Sequence, residues 1–479
     1  MSTPQPDDAL AQRYRQPKNV EQYGIEAIPD SVKTVRWWDV FFMILNFLIN
    51  PGMILIAGSA VAAGLPFWGA VVAEVAGIVV AFSAYAVMAT IGVDYGLPGQ
   101  VGTRITYGLR GAKWIPSTLH VVSAVYWFAF QTVAGALGII AVLRALTGVT
   151  FNFALVSLVF AILQAVVALI GYDSLKVLSR LAFPTKIALS VVFIVLLMSH
   201  DDPAYSPAVV FGFSGHIGWH WPLLALWLNS VASAWLSMIT NASDFCRYSR
   251  SRKDMWIGTL AAAVVGTLIA ALVGCYAAVA SGGNANAFDV ISQITGNPLL
   301  LGLVLLYIVL DNWTINVLNL YTAGLALVNI WQRLGRFWAT LSLGVIGVVL
   351  SLLPQLVNGY TGLMTAMGNL FAPVAGVLIA DYVFCKHMGI DVSAVFTRGG
   401  RYWYWNGFNL LAVGWTAIGI LVYLALPTVA LQNVSCMVIT IVGYVITARL
   451  LAGRVSKLDQ ADAPIANRSR ALVPEMATD

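Results

Sequence analysis

Lys186 and Asp311 sit well inside long apolar stretches of this chain. A lone charge in such a place is costly, so ionisable residues there default to functional roles. Pairing the two would relieve both burial penalties and would tie them to ion coupling. Glu74 and His120 are the other ionisable groups within apolar stretches. Glu74 stands near the end of its own stretch, where a structural role is equally open. The segment "ILNFLINPGMIL", residues 44–55, puts Asn46 and Asn50 four apart on one helical face, directly before Pro51-Gly52. A helix in lipid must satisfy its own backbone, so this is either a tolerated kink or a break that lines a site. Further on, "HVVSAVYWFAFQT" spaces His120, Ala124, Trp127 and Gln131 along one helical face. Aromatics at that spacing usually only pack, but a buried glutamine one turn on needs a polar partner. In "WLNSVASAWLS", Ser230, Ala232, Ser233 and Ala234 leave room for close backbone approach just before Trp235. "LYIVLDNWTINVLNLYTAG" crowds Asp311, Asn312, Thr314, Asn316 and Asn319 together, more amides than helix packing alone explains. Groups of these types can hold a flat polar ring and a cation. Bond-making chemistry is not signalled: there is no GK[ST] loop, no HExxH and no GxSxG.

The elements that must position these residues are membrane helices. Apolar residues make up 59% of the 479 and charged residues only 10%, against about 25% charged in a soluble domain. Windows of roughly 20 apolar residues predict an all-α integral membrane protein. Its twelve spans fall near 38–63, 67–92, 114–145, 153–173, 178–199, 221–242, 256–281, 298–328, 336–355, 360–384, 405–426 and 430–452. Lys and Arg set the orientation. With the amino terminus inside, the cytoplasmic segments hold Arg104, Arg110, Lys113, Lys176, Arg180, Arg247, Arg250, Arg252, Lys253, Arg333, Arg336, Lys386, Arg398, Arg401, Arg449, Arg454 and Lys457. The long outside loops, 200–220 and 282–297, hold none. Both termini are therefore expected in the cytoplasm. The net charge of +5 follows from this topology and calls for no nucleic-acid partner. Residues 1–36, with Arg13, Arg15 and Lys18, read as a cytoplasmic tail without a cleavable signal peptide. Residues 37–458 read as one transmembrane domain, and 459–479, with Arg468 and Arg470, as a disordered tail. Cys246, Cys275, Cys385 and Cys436 are scattered, with no metal or redox spacing.

In this order, five motifs together resemble the nucleobase–cation symporter-1 family. They are "GIEAIPDSVKTVRWWD" before the first span, "YWFAFQT" in the third, "SDFCRYSRSRKD" after the sixth, "NWTINVLNLYTAGLALVN" in the eighth and "FAPVAGVLIADYVF" in the tenth. The stretches after spans six and eight look most like cytosine and purine permeases, with hydantoin and allantoin carriers further away. The resemblance implies a leucine-transporter-like fold of two inverted five-span repeats, about 37–200 and 220–385, plus two extra helices at about 405–452. It implies that Trp127 and Trp235 sandwich a planar heterocycle. Gln131 corresponds to a glutamine of hydantoin carriers. A ring-binding asparagine falls at Asn319, or at Asn316 if the alignment slips, and Asn50 at the first-span break faces the substrate. Indole faces suit a flat ring and amides suit its mixed donor and acceptor edge.

For the cation, the resemblance implies a site between first-span carbonyls near Ile49 and the eighth-span positions Asp311, Thr314 and Ile315. One expected hydroxyl is missing there and a carboxylate has appeared. Some proton-coupled proteins of this wider fold place a fifth-span lysine where sodium would sit, and Lys186 occupies that span. Buried lysines take up proton-transfer roles readily. A proton carried by Lys186 with Asp311 as partner and Asn46 nearby is the favoured expectation; sodium bound by Asp311 is the rival. The protein is thus expected to be a secondary active symporter of the inner (plasma) membrane, not an enzyme, with no cofactor. Its substrate is a nucleobase or related nitrogen heterocycle, with a cyclic ureide or a pyrimidine vitamin precursor as alternatives. A sensing receptor lacks an output domain, and a channel would fail a counterflow assay. Oligomeric state is not legible.

Overall fold

The structure, a computed structural model, describes residues 27–170 and 172–465. The basic residues expected in the tails, Arg13, Arg15, Lys18, Arg468 and Arg470, lie outside them, as do the side chains of Lys176 and Arg180. Every named element among the described residues is helical. Among the described residues, seven helices are long and apolar enough to cross a membrane, or eight if the pair Trp37–Leu48 and Pro51–Ala62, bent by 60°, is one span. Four shorter apolar helices stand at the remaining expected positions. In order they are α1 (Trp37–Leu48 and, past the bend, Pro51–Ala62), α2 (Phe67–Tyr95), α3 (Thr118–Thr147), α4 (Phe153–Ile170), α5 (Tyr172–Met198) and α6 (Trp221–Leu236). Then follow α7 (Arg252–Ala280), α8 (Pro298–Ile330), α9 (Gly335–Leu350), α10 (Tyr360–Ile379), α11 (Leu410–Ala425) and α12 (Gln432–Leu451).

Polarity is distributed as lipid demands. Leu155, Val159, Ile162 and Val166 of α4, and Val438, Val442 and Ile446 of α12, are exposed, whereas Asn50, Asp311, Asn312 and Asn316 are fully buried. Exposed tryptophans collect near the helix ends: Trp68, Trp219 and Trp221 toward one face, Trp37, Trp38, Trp114, Trp331 and Trp338 toward the other. Amphipathic rings of this kind prefer the two membrane–water boundaries.

Two four-helix groups make the body of the protein. Helices α1, α2, α6 and α7 pack on one another, and α3, α4, α8 and α9 pack on one another. Adding five to each of the first five helix numbers, and subtracting five from the rest, maps most of the packing onto itself. The α1–α7 interface becomes α6–α2, α1–α5 becomes α6–α10, and α3–α4 becomes α8–α9. The α5–α8 interface becomes α10–α3, while α2–α7, α3–α8 and α4–α9 map onto themselves. That is the packing pattern a repeated five-helix unit produces. Helices α11 and α12 lie outside the exchange, against α10 and each other.

Two boundaries differ from those expected. The sixth span was expected to run to about 242, but α6 stops at Leu236; a 3-10 turn, Ile239–Asn241, and a short helix, Ala242–Cys246, complete it. The stretch from 459 was expected to be tail, yet Ser456–Asp462 is helical. Lys386 holds it, donating from Nζ to Asp381 Oδ1 at 2.5 Å and to Asp462 Oδ1 at 3.1 Å.

Close helix approach within the first group depends on glycine. A Cβ on Gly274 of α7 would come within 2.1 Å of the Ile54 carbonyl oxygen in α1, whereas one on Gly302 of α8 would meet nothing within 4 Å. Gly274→Val should therefore lower the melting temperature of detergent-purified protein by several degrees, overpacking costing about 1–3 kcal/mol. Gly302→Ala should leave it unchanged or slightly raised. A Gly274→Val protein that melts like its parent would contradict this packing.

Candidate functional site

The break in α1 begins with chain chemistry. Proline disfavours helical geometry in the residue before it, and Asn50 is extended, with φ −143° and ψ 158°. Two carbonyls of the first half of α1 thereby lose their normal helical partners. The Phe47 carbonyl would have bonded residue 51, but Pro51 has no N–H; Asn50 Nδ2 donates to it instead, at 2.8 Å. Asn50 Oδ1 meanwhile accepts from the Met53 N–H at 2.9 Å, capping the second half. Asn50 thus clasps both sides of the break.

The Asn46 carbonyl would have bonded the N–H of Asn50, and Lys186 takes it. The Lys186 ammonium from α5 donates to Asn46 O and, at 3.1 Å, to Asn46 Oδ1, and it forms an ion pair with Asp311 Oδ1 of α8. All three side chains are buried. One cation thus joins the broken helix, α5 and α8, one helix from one group and one from the other. Thr314, one turn on, donates its hydroxyl to the Asp311 carbonyl at 2.8 Å. Ile49 is extended at the break, with φ −87° and ψ 93°.

Between the two groups lies a cleft enclosing about 540 Å³ of space, its mouth included. Asn50 and Met53 of α1 and Ala234 and Trp235 of α6 line one wall, continued by Ser237, Met238, Asn241 and Phe245 past the α6 break. His120, Ser123, Ala124, Trp127 and Gln131 of α3, with Ile315, Leu318, Asn319 and Thr322 of α8, line the other. No lining residue carries a formal charge apart from the titratable His120. Trp127 is held by its indole N–H, which donates to Ser237 Oγ at 3.1 Å across the cleft. Trp235 packs on Phe47 and Phe82, at ring-centroid distances of 6.0 and 5.5 Å. Gln131 presses against the α1 break, where a Cβ on Gly52 would lie 2.6 Å from Gln131 Oε1. Only glycine leaves room for that amide. Gln131 Oε1 is itself buried without a hydrogen-bond partner.

The residues marked out by sequence divide into three sets. Trp127, Gln131, Trp235, Asn319 and Asn50 share the cleft, while Lys186, Asp311, Asn46 and Thr314 gather at the ion junction. Asn316 does neither. It is fully buried behind α3, donating to the Phe128 carbonyl and Thr132 Oγ1, and it accepts from Asn319 Nδ2 at 3.2 Å. Asn316 does not line the cleft, and its side chain supports Asn319 from behind. Asn50 also differs from expectation, since both ends of its amide are engaged by backbone. His120 and Asn241 of the cleft were not assigned to the substrate from sequence. The signal for Asn241 was absent, because a lone asparagine at the very end of the expected sixth span, 221–242, reads as an interfacial residue. Glu74 lies elsewhere in the first group, buried in α2.

The family described as permeases for cytosine/purines, uracil, thiamine and allantoin matches residues 27–448. The chain belongs to that family. It is therefore a multi-pass membrane transport protein and not an enzyme. Within the family it is 30% identical over 335 residues to the cytosine permease of Escherichia coli strain K12, covering 68% of this chain and 70% of that one. It is 22% identical over 393 residues to the hydantoin permease of Microbacterium maritypicum, covering 78% of each. A nucleobase–cation-symport-1 family transporter, solved in a closed conformation with bromovinylhydantoin bound, superposes with a TM-score of 0.78. That alignment covers 93% of this chain and all of that one at 20% identity, and so shows a shared fold.

Gly52→Ala should weaken substrate binding at least tenfold, because its methyl group must displace Gln131. Gly52→Ala combined with Gln131→Ala should recover part of the loss, since the added methyl group then has space. Equilibrium binding on purified protein checks both. Single and double variants equally impaired would show that Gly52 serves only the backbone.

Proposed function

We propose that this permease imports a nucleobase or related planar nitrogen heterocycle across the inner membrane, driven by protons, with both termini in the cytoplasm. The ring stacks between Trp127 and Trp235, and Gln131 and Asn319 bond its edge. Indole faces reward a flat ring through apolar contact and quadrupole geometry. The Asn319–Asn316 bond commits the Asn319 amide nitrogen and leaves its oxygen for a ring N–H. Asn50 contributes by keeping the break open rather than by direct recognition.

The observation that carries proton coupling is the Lys186 ammonium, which bridges the freed Asn46 carbonyl and Asp311. A charged Lys186 bonds the broken α1 to α8 and holds the two helix groups together. A neutral Lys186 keeps fewer donors and loses the ion pair, which frees the groups to rock in alternating access. Sodium held by Asp311 is the rival; it would have to displace an ammonium already in place. A cyclic ureide substrate is a second reading, favoured by the unpartnered Gln131 Oε1, which suits a ring N–H.

Uptake into proteoliposomes at fixed pH tests the reading. Accumulation should be insensitive to replacing sodium by choline and should collapse with a protonophore. Lys186→Ala should still exchange labelled for unlabelled substrate but fail to concentrate it. Strict sodium dependence, or concentrative uptake by Lys186→Ala, would overturn proton coupling.

A further inference from the structure

The cleft is longer than a single ring requires. His120 and Gln131 line it eleven residues apart on α3, about 16 Å along the helix axis. A one-ring heterocycle stacked on Trp127 fits within two helical turns, about 11 Å. The remaining length lies on the His120 side of Trp127, and it is not apolar.

Two polar side chains there are short of hydrogen-bond partners, although the Ser237 backbone lies beside the His120 ring. His120 is 3% exposed and Asn241 2%, both line the cleft, and neither His120 ring nitrogen nor Asn241 Oδ1 has a hydrogen-bond partner. Independent contacts bring them to one end. Gln100 Nε2 donates to Thr240 Oγ1 at 3.3 Å, and Ser117 Oγ donates to Gln100 Oε1 at 2.9 Å. A Cβ on neighbouring Gly99 would meet Asn241 Cα at 2.6 Å. The start of α3 and the break of α6 are thus pinned to one short helical turn, Gly99–Gly102, one beside His120 and the other beside Asn241. Below them Asn329 donates to Ser117 Oγ at 3.0 Å, and Arg104 donates to Asn329 Oδ1 at 2.6 Å, closing the floor. Leaving buried polar atoms unbonded is destabilising, so a site that keeps several of them facing a cleft is built for a visitor.

We propose that His120 and Asn241 form a second subsite, which binds a neutral amide- or urea-type arm carried by the transported ring. This rests on the heterocycle reading of the cleft. Neutral imidazole offers one donor and one acceptor, and Asn241 Oδ1 offers an acceptor. An arm with N–H groups and a carbonyl satisfies all three. A carboxylate arm has no donor for Asn241, and no Lys or Arg lines the cleft to offset its charge.

Equilibrium binding to the detergent-purified full chain tests this with two ring series. One is hydantoin, allantoin and hydantoin-5-acetic acid; the other is uracil, uracil-5-carboxamide and uracil-5-carboxylate. In whichever series binds, the neutral arm should tighten binding roughly tenfold over the bare ring, the effect of one or two hydrogen bonds. The carboxylate arm should give no gain. His120→Phe and Asn241→Leu should each cut the armed-to-bare ratio to under about threefold. A neutral arm that gives no gain in the wild type, a carboxylate that binds best, or ratios unmoved by both variants would overturn the subsite. Binding of bare rings alone leaves the heterocycle reading standing. If no ring of either series binds, the subsite fails; binding of cytosine or a purine would then leave the heterocycle reading standing, and no binding of those either would overturn it too. Should the variants not fold, the wild-type comparison of arms decides alone.

Discussion

Burying one ammonium between helices constrains everything else in this protein. Lys186 reaches the interior only because two acceptors wait for it there: the Asp311 carboxylate on α8 and a carbonyl of α1 that has no helical partner. Removing one partner from such a pair leaves an uncompensated charge, at a cost of about 3–5 kcal/mol. The free carbonyl exists because Asn50 is extended, and Asn50 is extended because Pro51 follows. The Lys186 junction and the break are therefore one structure. A continuous first helix would hold neither the cation nor the cleft.

The same break shapes the cleft on its other side. Gly52 admits the Gln131 amide, and the second half of α1 starts beside it with Asn50 as its cap. The α6 break continues the same wall, where Ser237 anchors the Trp127 indole from across the cleft. Each wall of the cleft thus carries a tryptophan fixed by polar or aromatic contacts. A change in how α1 meets α8 at Lys186 must alter the spacing of those walls. Under the proposed function, an ion event a few residues away would reach the ring in this way, without any residue contacting both.

Much of this was legible in the sequence, for identifiable reasons. Pro51 deletes a backbone donor whatever its surroundings, so the α1 break announces itself. Lys186 and Asp311 are conspicuous because lipid tolerates so few charges. The α6 break carries no such mark: Ser237-Met238 is neither proline nor glycine, and only tertiary bonds such as Trp127 to Ser237 hold it open. Asn316 and Asn319 lie three apart on a helix packed by α3, α4, α5 and α9, so pattern alone does not tell which faces the cleft. Geometry separates them, since Asn316 bonds backwards into α3 and Asn319 does not. The Ser456–Asp462 helix was missed because the part-buried bond from Lys386 to Asp462 joins residues far apart in sequence.

The central claim is that Lys186 carries the coupling proton. Its most direct test is the pH inside sodium-free proteoliposomes, followed with an entrapped dye while substrate is added outside. Wild-type protein should acidify the lumen on addition of substrate, and Lys186→Gln, in which the exchangeable charge is gone, should not, although it still binds substrate. Acidification by Lys186→Gln at the wild-type rate would contradict the account, as would a wild type that moves substrate inward with no pH change.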